Sequence, residues 1–110
     1  MTTQHRELAA GRWRALPFVE QMAHVGSEVE RALHWRAKPH ADYCRQAAAR
    51  ALELMDLTLE SATGYPRRRE LARLREALAD DFFGANQFRS TDDAWRRYFA
   101  GFTTLARKGR

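Results

Sequence analysis

From Phe18 onward, the apolar residues Phe18, Met22, Val25, Val29 and Leu33 recur at intervals of three and four. At about 100° per residue this spacing lines them along one side of a helix and does not fit the two-residue alternation of a strand. Three later segments repeat the pattern. In the second, Cys44, Ala47, Ala48, Ala51, Met55, Thr58, Leu59 and Ala62 share a side, which Leu52 and Leu54 widen. The third carries Leu71, Leu74, Leu78 and Phe82, and the fourth Trp95, Tyr98, Phe99, Phe102 and Leu105. With three Val and no Ile in 110 residues, the chain holds little material for a sheet. The spacing predicts an all-α protein.

Local signals bound each helix. Pro17 suits a first helical turn, and Lys38-Pro39 breaks the first helix because the residue before a proline avoids helical angles. Gly64 is placed to end the second helix with a left-handed cap, and Pro66 starts the third, which stops at Gly84. Ser90-Thr91-Asp92-Asp93 puts a hydroxyl at an N-cap and acids in the first turn. The predicted helices cover about 18–37, 40–62, 67–83 and 91–107. Joined by short connections, they fold most simply as an up-down-up-down four-helix bundle spanning residues 18–110, behind a short N-terminal arm, residues 1–17.

Several chemistries fail on spacing. A single cysteine, Cys44, forms no internal disulfide and points to a reducing compartment, so a cytoplasmic protein is expected. No apolar run approaches the roughly 18 residues of a spanning helix, and MTTQHRELAAGRWRALP lacks the apolar core of a signal peptide, so no membrane is expected as partner. His5, His24, His34 and His40 are not paired at ligand spacing on one helix face, and no Glu-x-x-His occurs. Glu20 with His24 and Glu30 with His34 have the right interval, but Glu20 and His24 lie opposite the Phe18/Met22 stripe, where an ion pair is the expected outcome. Asp80-Asp81 and Asp92-Asp93 are neighbours that diverge by about 100°, so neither doublet holds one ion. Cys44 reads as a buried, inert thiol among alanines. An RNA-cleaving centre built on His34 or His40 with Arg31 or Arg36 is too closely spaced for the Arg and His of helical ribonuclease toxins. No catalytic residue, metal or cofactor is expected.

The charge is more informative. The net +5 is uneven: residues 66–110 hold eleven Lys/Arg against six Asp/Glu, whereas residues 1–65 hold eight of each. Such polarity can steer an anionic partner. Five arginines fall between Arg67 and Arg75, in two populations. Arg69 and Arg73 lie on the far side from Leu71 and Leu78, while Arg67, Arg68 and Arg75 flank the apolar stripe. Arg69 and Arg73, joined by the outward Arg96, Arg97 and Arg107 of the fourth helix, form a candidate nucleic-acid-binding surface if those helices are neighbours. Arg75 is close enough in angle to the stripe to be partly buried, so it is expected to pair with Glu28 or Glu30 of the first helix. Trp13, Trp35, Phe83 and Phe88 lie off the stripes. They could cap the bundle ends, form a homo-oligomer interface or stack on bases, and the first two uses are preferred.

The segments MAHVGSEVERALHW, ARALELMDLTLES, RLREALADDFFG and STDDAWRRYF resemble a family of small uncharacterised bacterial proteins with the same helix order. The predicted architecture is also similar to the ribosomal RNA intervening-sequence proteins and to the accessory variability determinants of diversity-generating retroelements. The second resemblance implies a non-enzymatic, homo-oligomeric partner of a reverse transcriptase and its RNA or DNA. No site residue is carried over from either group. Two functions from different classes therefore stand: an accessory protein that binds nucleic acid through the arginines of the third and fourth helices, and a protein-interaction scaffold or antitoxin-like module in which those arginines are merely solvated.

Overall fold

A computed structural model describes residues 10–108 of the chain. They are all-helical: α1 (residues 10–15), α2 (Phe18–Arg36), α3 (Ala41–Ser61), α4 (Tyr65–Phe83) and α5 (Asp92–Lys108), with no strand among the described residues. The last four match the periodic segments to within about two residues at each end, where helices commonly fray.

The apolar stripes meet in one core. Met22, Val25, Val29 and Leu33 of α2 pack with Ala51 and Met55 of α3, Leu71 and Leu78 of α4, and Trp95 and Phe99 of α5. A smaller cluster, Ala32 with Ala47 and Ala48, lies where α2 and α3 approach, because three methyl-sized side chains leave the backbones little to keep apart. α2 is the central element: it packs on both α3 and α5, while α4 packs on α3. Along α2 and α5, Arg36 meets Asp92, Glu30 meets Arg96 and Gly26 meets Phe99, so the two helices run in opposite directions.

Gly26 sets how closely these two helices sit. A Cβ built there would lie 2.8 Å from the Cβ of Phe99, an atom fixed to the α5 backbone that cannot swing away. Alanine would gain about 1 kcal/mol of helix propensity over glycine, but overpacking a rigid contact costs about 1–3 kcal/mol. The clash outweighs the propensity gain.

Two local expectations change. Gly64 does have positive φ, +88° with ψ 135°, but it opens α4 rather than closing α3. α3 ends at Ala62 in extended geometry, φ −71° and ψ 139°, so no left-handed cap forms there. The larger change concerns the arm. Instead of a loose extension, residues 10–15 form a helix, and Trp13, expected to be an exposed interface residue, is 8 % exposed and part of the core. Its Nε1–H donates to Thr58 Oγ1 at 2.9 Å, and Gln21 Nε2 returns a bond to the Trp13 carbonyl at 2.8 Å. A buried indole needs an acceptor, and Thr58, on the apolar face of α3, supplies it.

Replacing Trp13 with Ala is expected to cost about 3 kcal/mol of unfolding free energy, in the range for a buried aromatic truncated to alanine. Gly26→Ala is expected to lose about 1 kcal/mol, the difference between the overpacking and propensity terms. Urea denaturation followed by circular dichroism measures both. An unchanged midpoint for Trp13→Ala would mean that α1 is a dispensable appendage.

Candidate nucleic-acid interface

The arginines of the basic half sort by what each one touches. Arg75 does not reach Glu28 or Glu30. Its Nε and Nη2 bind the Asp56 carboxylate at 2.5 and 3.3 Å, because the closest packing of α4 is on α3. Both side chains are substantially exposed, 37 % and 50 %, so this is a surface pair worth no more than about 1 kcal/mol. The two glutamates serve elsewhere. Glu28 accepts from Arg31 on its own helix, and Glu30 binds Arg96 across the α2–α5 seam at 2.9 Å. Hydrogen bonding to Glu30, then its charge, raises the Arg96 pKa above the ordinary arginine value. Arg96 is therefore partly neutralised, which weakens its claim on an outside anion.

Arg67 is engaged differently, its guanidinium 4.1 Å above the Phe18 ring in a cation–π contact that ties α4 to the start of α2. Arg69, Arg73 and Arg97 are exposed and form no ion pair among the described residues. Arg69 and Arg73 are four residues apart on the outward side of α4; Arg97 lies on the outward side of α5, one residue before Tyr98. The condition that α4 and α5 be close neighbours is not met, since α4 packs mainly on α3 and α5 on α2; the Tyr98 hydroxyl, donating to Glu70 at 3.1 Å, is a side-chain link between them. Burial first, then the nearby Glu70 charge, pushes the Tyr98 pKa up, so this hydroxyl stays protonated and donating at neutral pH. Arg107 is also exposed and borders a groove of about 500 Å³ between α2 and α5, together with Thr103, Thr104, Arg96 and Glu30.

The most constrained charges in the molecule lie where no functional site was expected. Asp81, with a side chain 5 % exposed, accepts two bonds from Arg36 at 3.0 and 3.2 Å and one from Trp95 Nε1 at 2.7 Å. Arg36 also binds Asp92 at 2.6 Å and lies 4.3 Å over the Phe82 ring. Partial burial opposes the Arg36 charge, but the hydrogen bonds and attraction of Asp81 and Asp92 outweigh it and raise its pKa. The cluster joins α2, α4 and α5 at one end of the fold. Sequence reasoning missed it, although a signal was present: Arg36 continues the α2 stripe three residues after Leu33, and Asp81 follows Leu78 by three. A charge in register with a core stripe calls for a partner.

Its neighbour Asp80 has a separate role. The Asp80 carbonyl accepts the Gly84 and Asn86 N–H groups, and its carboxylate accepts the Phe88 N–H at 3.0 Å. Asn86, at φ 53°, bonds both the N–H and the carbonyl of Ser90, and Thr91 Oγ1 caps α5 by accepting from the Ala94 N–H. The loop therefore presents Phe88, 58 % exposed, from an ordered turn, and Phe83 at the end of α4 is 48 % exposed. Trp35 is half-buried among other rings at the α2–α3 turn, so of the four aromatics read as interface candidates only Trp13 is a core residue.

Of the histidines, His5 lies outside the described residues. Glu20 and His24 form no ion pair; His24 instead lies against the Trp13 indole, centroids 5.8 Å apart. No cluster of three or more His, Cys, Asp or Glu suited to a metal occurs among the described residues. Cys44 is half-buried, and burial raises its thiol pKa, which suits an unreactive side chain. No helix among the described residues is long and apolar enough to cross a membrane. Neither protein-family models, nor curated proteins, nor solved structures give a match to this chain.

Asp81→Ala is expected to cost about 2–3 kcal/mol, since it leaves Arg36 underpaired and the Trp95 N–H without an acceptor. Arg75→Ala, which breaks an exposed pair, is expected to cost less than about 1 kcal/mol. Thermal melts of the two variants side by side measure the contrast, and equal losses would contradict the assignment of Asp81 as the structural tie.

Proposed function

We propose that the chain is a non-enzymatic nucleic-acid-binding protein that contacts phosphates through the outward arginines of α4 and α5. The observation that carries this reading is the trio Arg69, Arg73 and Arg97, exposed and without an ion pair among the described residues, in the half of the chain that holds its net positive charge. Guanidinium groups held on helices and left unneutralised by the fold are suited to phosphate oxygens, and the contacts they make carry little sequence information. Arg107 lies with Arg96 on the α2–α5 groove, apart from this trio, and Arg96, tied to Glu30, contributes less. On this reading α2 to α5 form an up-down-up-down bundle that assembles as a homo-oligomer in the cytoplasm. Its protein partner, by resemblance to the retroelement accessory proteins, is a reverse transcriptase.

A second reading, a protein-interaction scaffold, is favoured by exposed Phe83, Phe88 and Leu105, which suit a protein surface better than a phosphate backbone. Fluorescence anisotropy with labelled RNA and DNA across a salt series separates the two. Phosphate binding is expected to weaken steeply with salt, and Arg69, Arg73 and Arg97 changed together to Glu should lower affinity at least about tenfold and flatten the log–log salt slope by roughly two to three. A wild-type protein that binds neither RNA nor DNA at low salt rejects the nucleic-acid reading.

A further inference from the structure

At the α2–α3 turn four rings touch. Trp35 meets His34, His40 and Tyr43 at centroid distances of 5.0, 5.2 and 5.0 Å, and His40 meets Tyr43 at 5.5 Å. Clusters of this kind usually close over a core. Here Tyr43 is 51 % exposed, His34 and His40 are exposed, and Trp35 is only half-buried. The turn is well ordered: the Lys38 N–H bonds the Trp35 carbonyl at 3.1 Å, and the Cys44 N–H bonds the His40 carbonyl to start α3. The rings are thus braced against one another from two helices while Tyr43, His34 and His40 remain exposed.

The turn is basic on balance, with Arg36, Lys38 and Arg45 against Asp42 in residues 34–45. Lys38, in the turn itself, forms no ion pair among the described residues, nor do His34 and His40. The one acid in the turn's first helical residues, Asp42, is held by Arg45. A rigid aromatic face beside an unneutralised ammonium suits a base laid flat with its phosphate alongside. An acidic peptide would use the cation but not the ring faces, and a second copy of this basic turn would bring like charges together.

We propose that Tyr43, buttressed by Trp35 and His40, is a stacking platform for an unpaired base of single-stranded RNA or DNA, with Lys38 on the adjoining phosphate. This rests on the nucleic-acid reading above and adds a preference to it: the arginines of α4 and α5 accept any phosphate backbone, whereas the platform admits only a base free of its duplex. Stacking on an aromatic ring is tolerant of base identity, so the preference is for strandedness rather than sequence.

The molecule carries its own reporter. Of three tryptophans, Trp13 and Trp95 are buried and hydrogen-bonded to Thr58 and Asp81, leaving Trp35 as the half-exposed one. Oligo-U and oligo-dT are expected to quench tryptophan fluorescence and to bind more tightly than a duplex of equal length at the same salt. Tyr43→Leu, which keeps apolar bulk but removes the π face, is expected to lower single-strand affinity about tenfold while leaving duplex affinity and its salt slope unchanged. Tyr43→Trp should retain single-strand affinity, and Tyr65→Ala, at an exposed tyrosine with no ring neighbour among the described residues, should leave it unaltered. Circular dichroism confirms that each variant is folded. Wild-type affinity in Tyr43→Leu, absent quenching, or equal binding of duplex and single strand overturns the platform and leaves the arginine surface standing. A wild type that binds no nucleic acid overturns both. A Tyr43→Leu variant that changes only self-association or protein capture assigns the rings to a protein contact and overturns the platform.

Discussion

The carboxylate of Asp81 is the point on which the arrangement of helices depends. It lies almost out of solvent and accepts from three donors: two guanidinium N–H groups of Arg36 and the indole N–H of Trp95. Each donor comes from a different helix than the acceptor, so the bond geometry is satisfied only when α2, α4 and α5 hold one mutual position. Apolar packing gives most of the driving force for the core, but Leu, Met and Val surfaces tolerate sliding. A bidentate arginine and a directional N–H do not. The Phe82 ring under Arg36 closes the site from below and limits the water that could compete for these bonds.

A second constraint acts at the α2–α5 seam. Gly26 lets the Phe99 side chain lie against the α2 backbone, and the Glu30–Arg96 pair bridges the same seam closer to solvent. This pairing consumes one of the cations that composition alone would offer to a ligand. The same happens to Arg75 with Asp56 and to Arg67 over Phe18. A basic segment is thus divided by the fold into cations that hold helices together and cations that remain for an anion. The number of arginines in the sequence overstates the second group.

The helices were legible because a three-and-four apolar spacing has one good solution, and Pro17, Pro39, Pro66 and Gly84 marked their ends through backbone sterics that need no tertiary context. The partners of the charges were much less legible. Placing Arg75 opposite Glu28 or Glu30 required knowing that α4 leans on α3, and a helix wheel gives angles without giving neighbours. Trp13 was taken for an exposed ring because six helical residues before a proline show too little periodicity to announce a buried face. Its acceptor, Thr58, was already placed on the α3 stripe, and a hydroxyl among apolar residues is itself a sign that a donor will arrive from elsewhere. The rings that meet edge-to-face and tilted at the α2–α3 turn combine residues from two elements and a loop, so no single periodic window contained them.

α4 is attached unlike the other long helices. Its closest backbone packing is on α3, and it reaches α2 and α5 through the buried Leu71 and Leu78 and through polar side chains: Arg36 to Asp81, Arg67 to Phe18 and Tyr98 to Glu70. The apolar contacts hold α4 to the core, and the polar ones fix its angle against α2 and α5. The inward groups of α4 are thus committed to the fold, while Arg69 and Arg73 stay on its outer side.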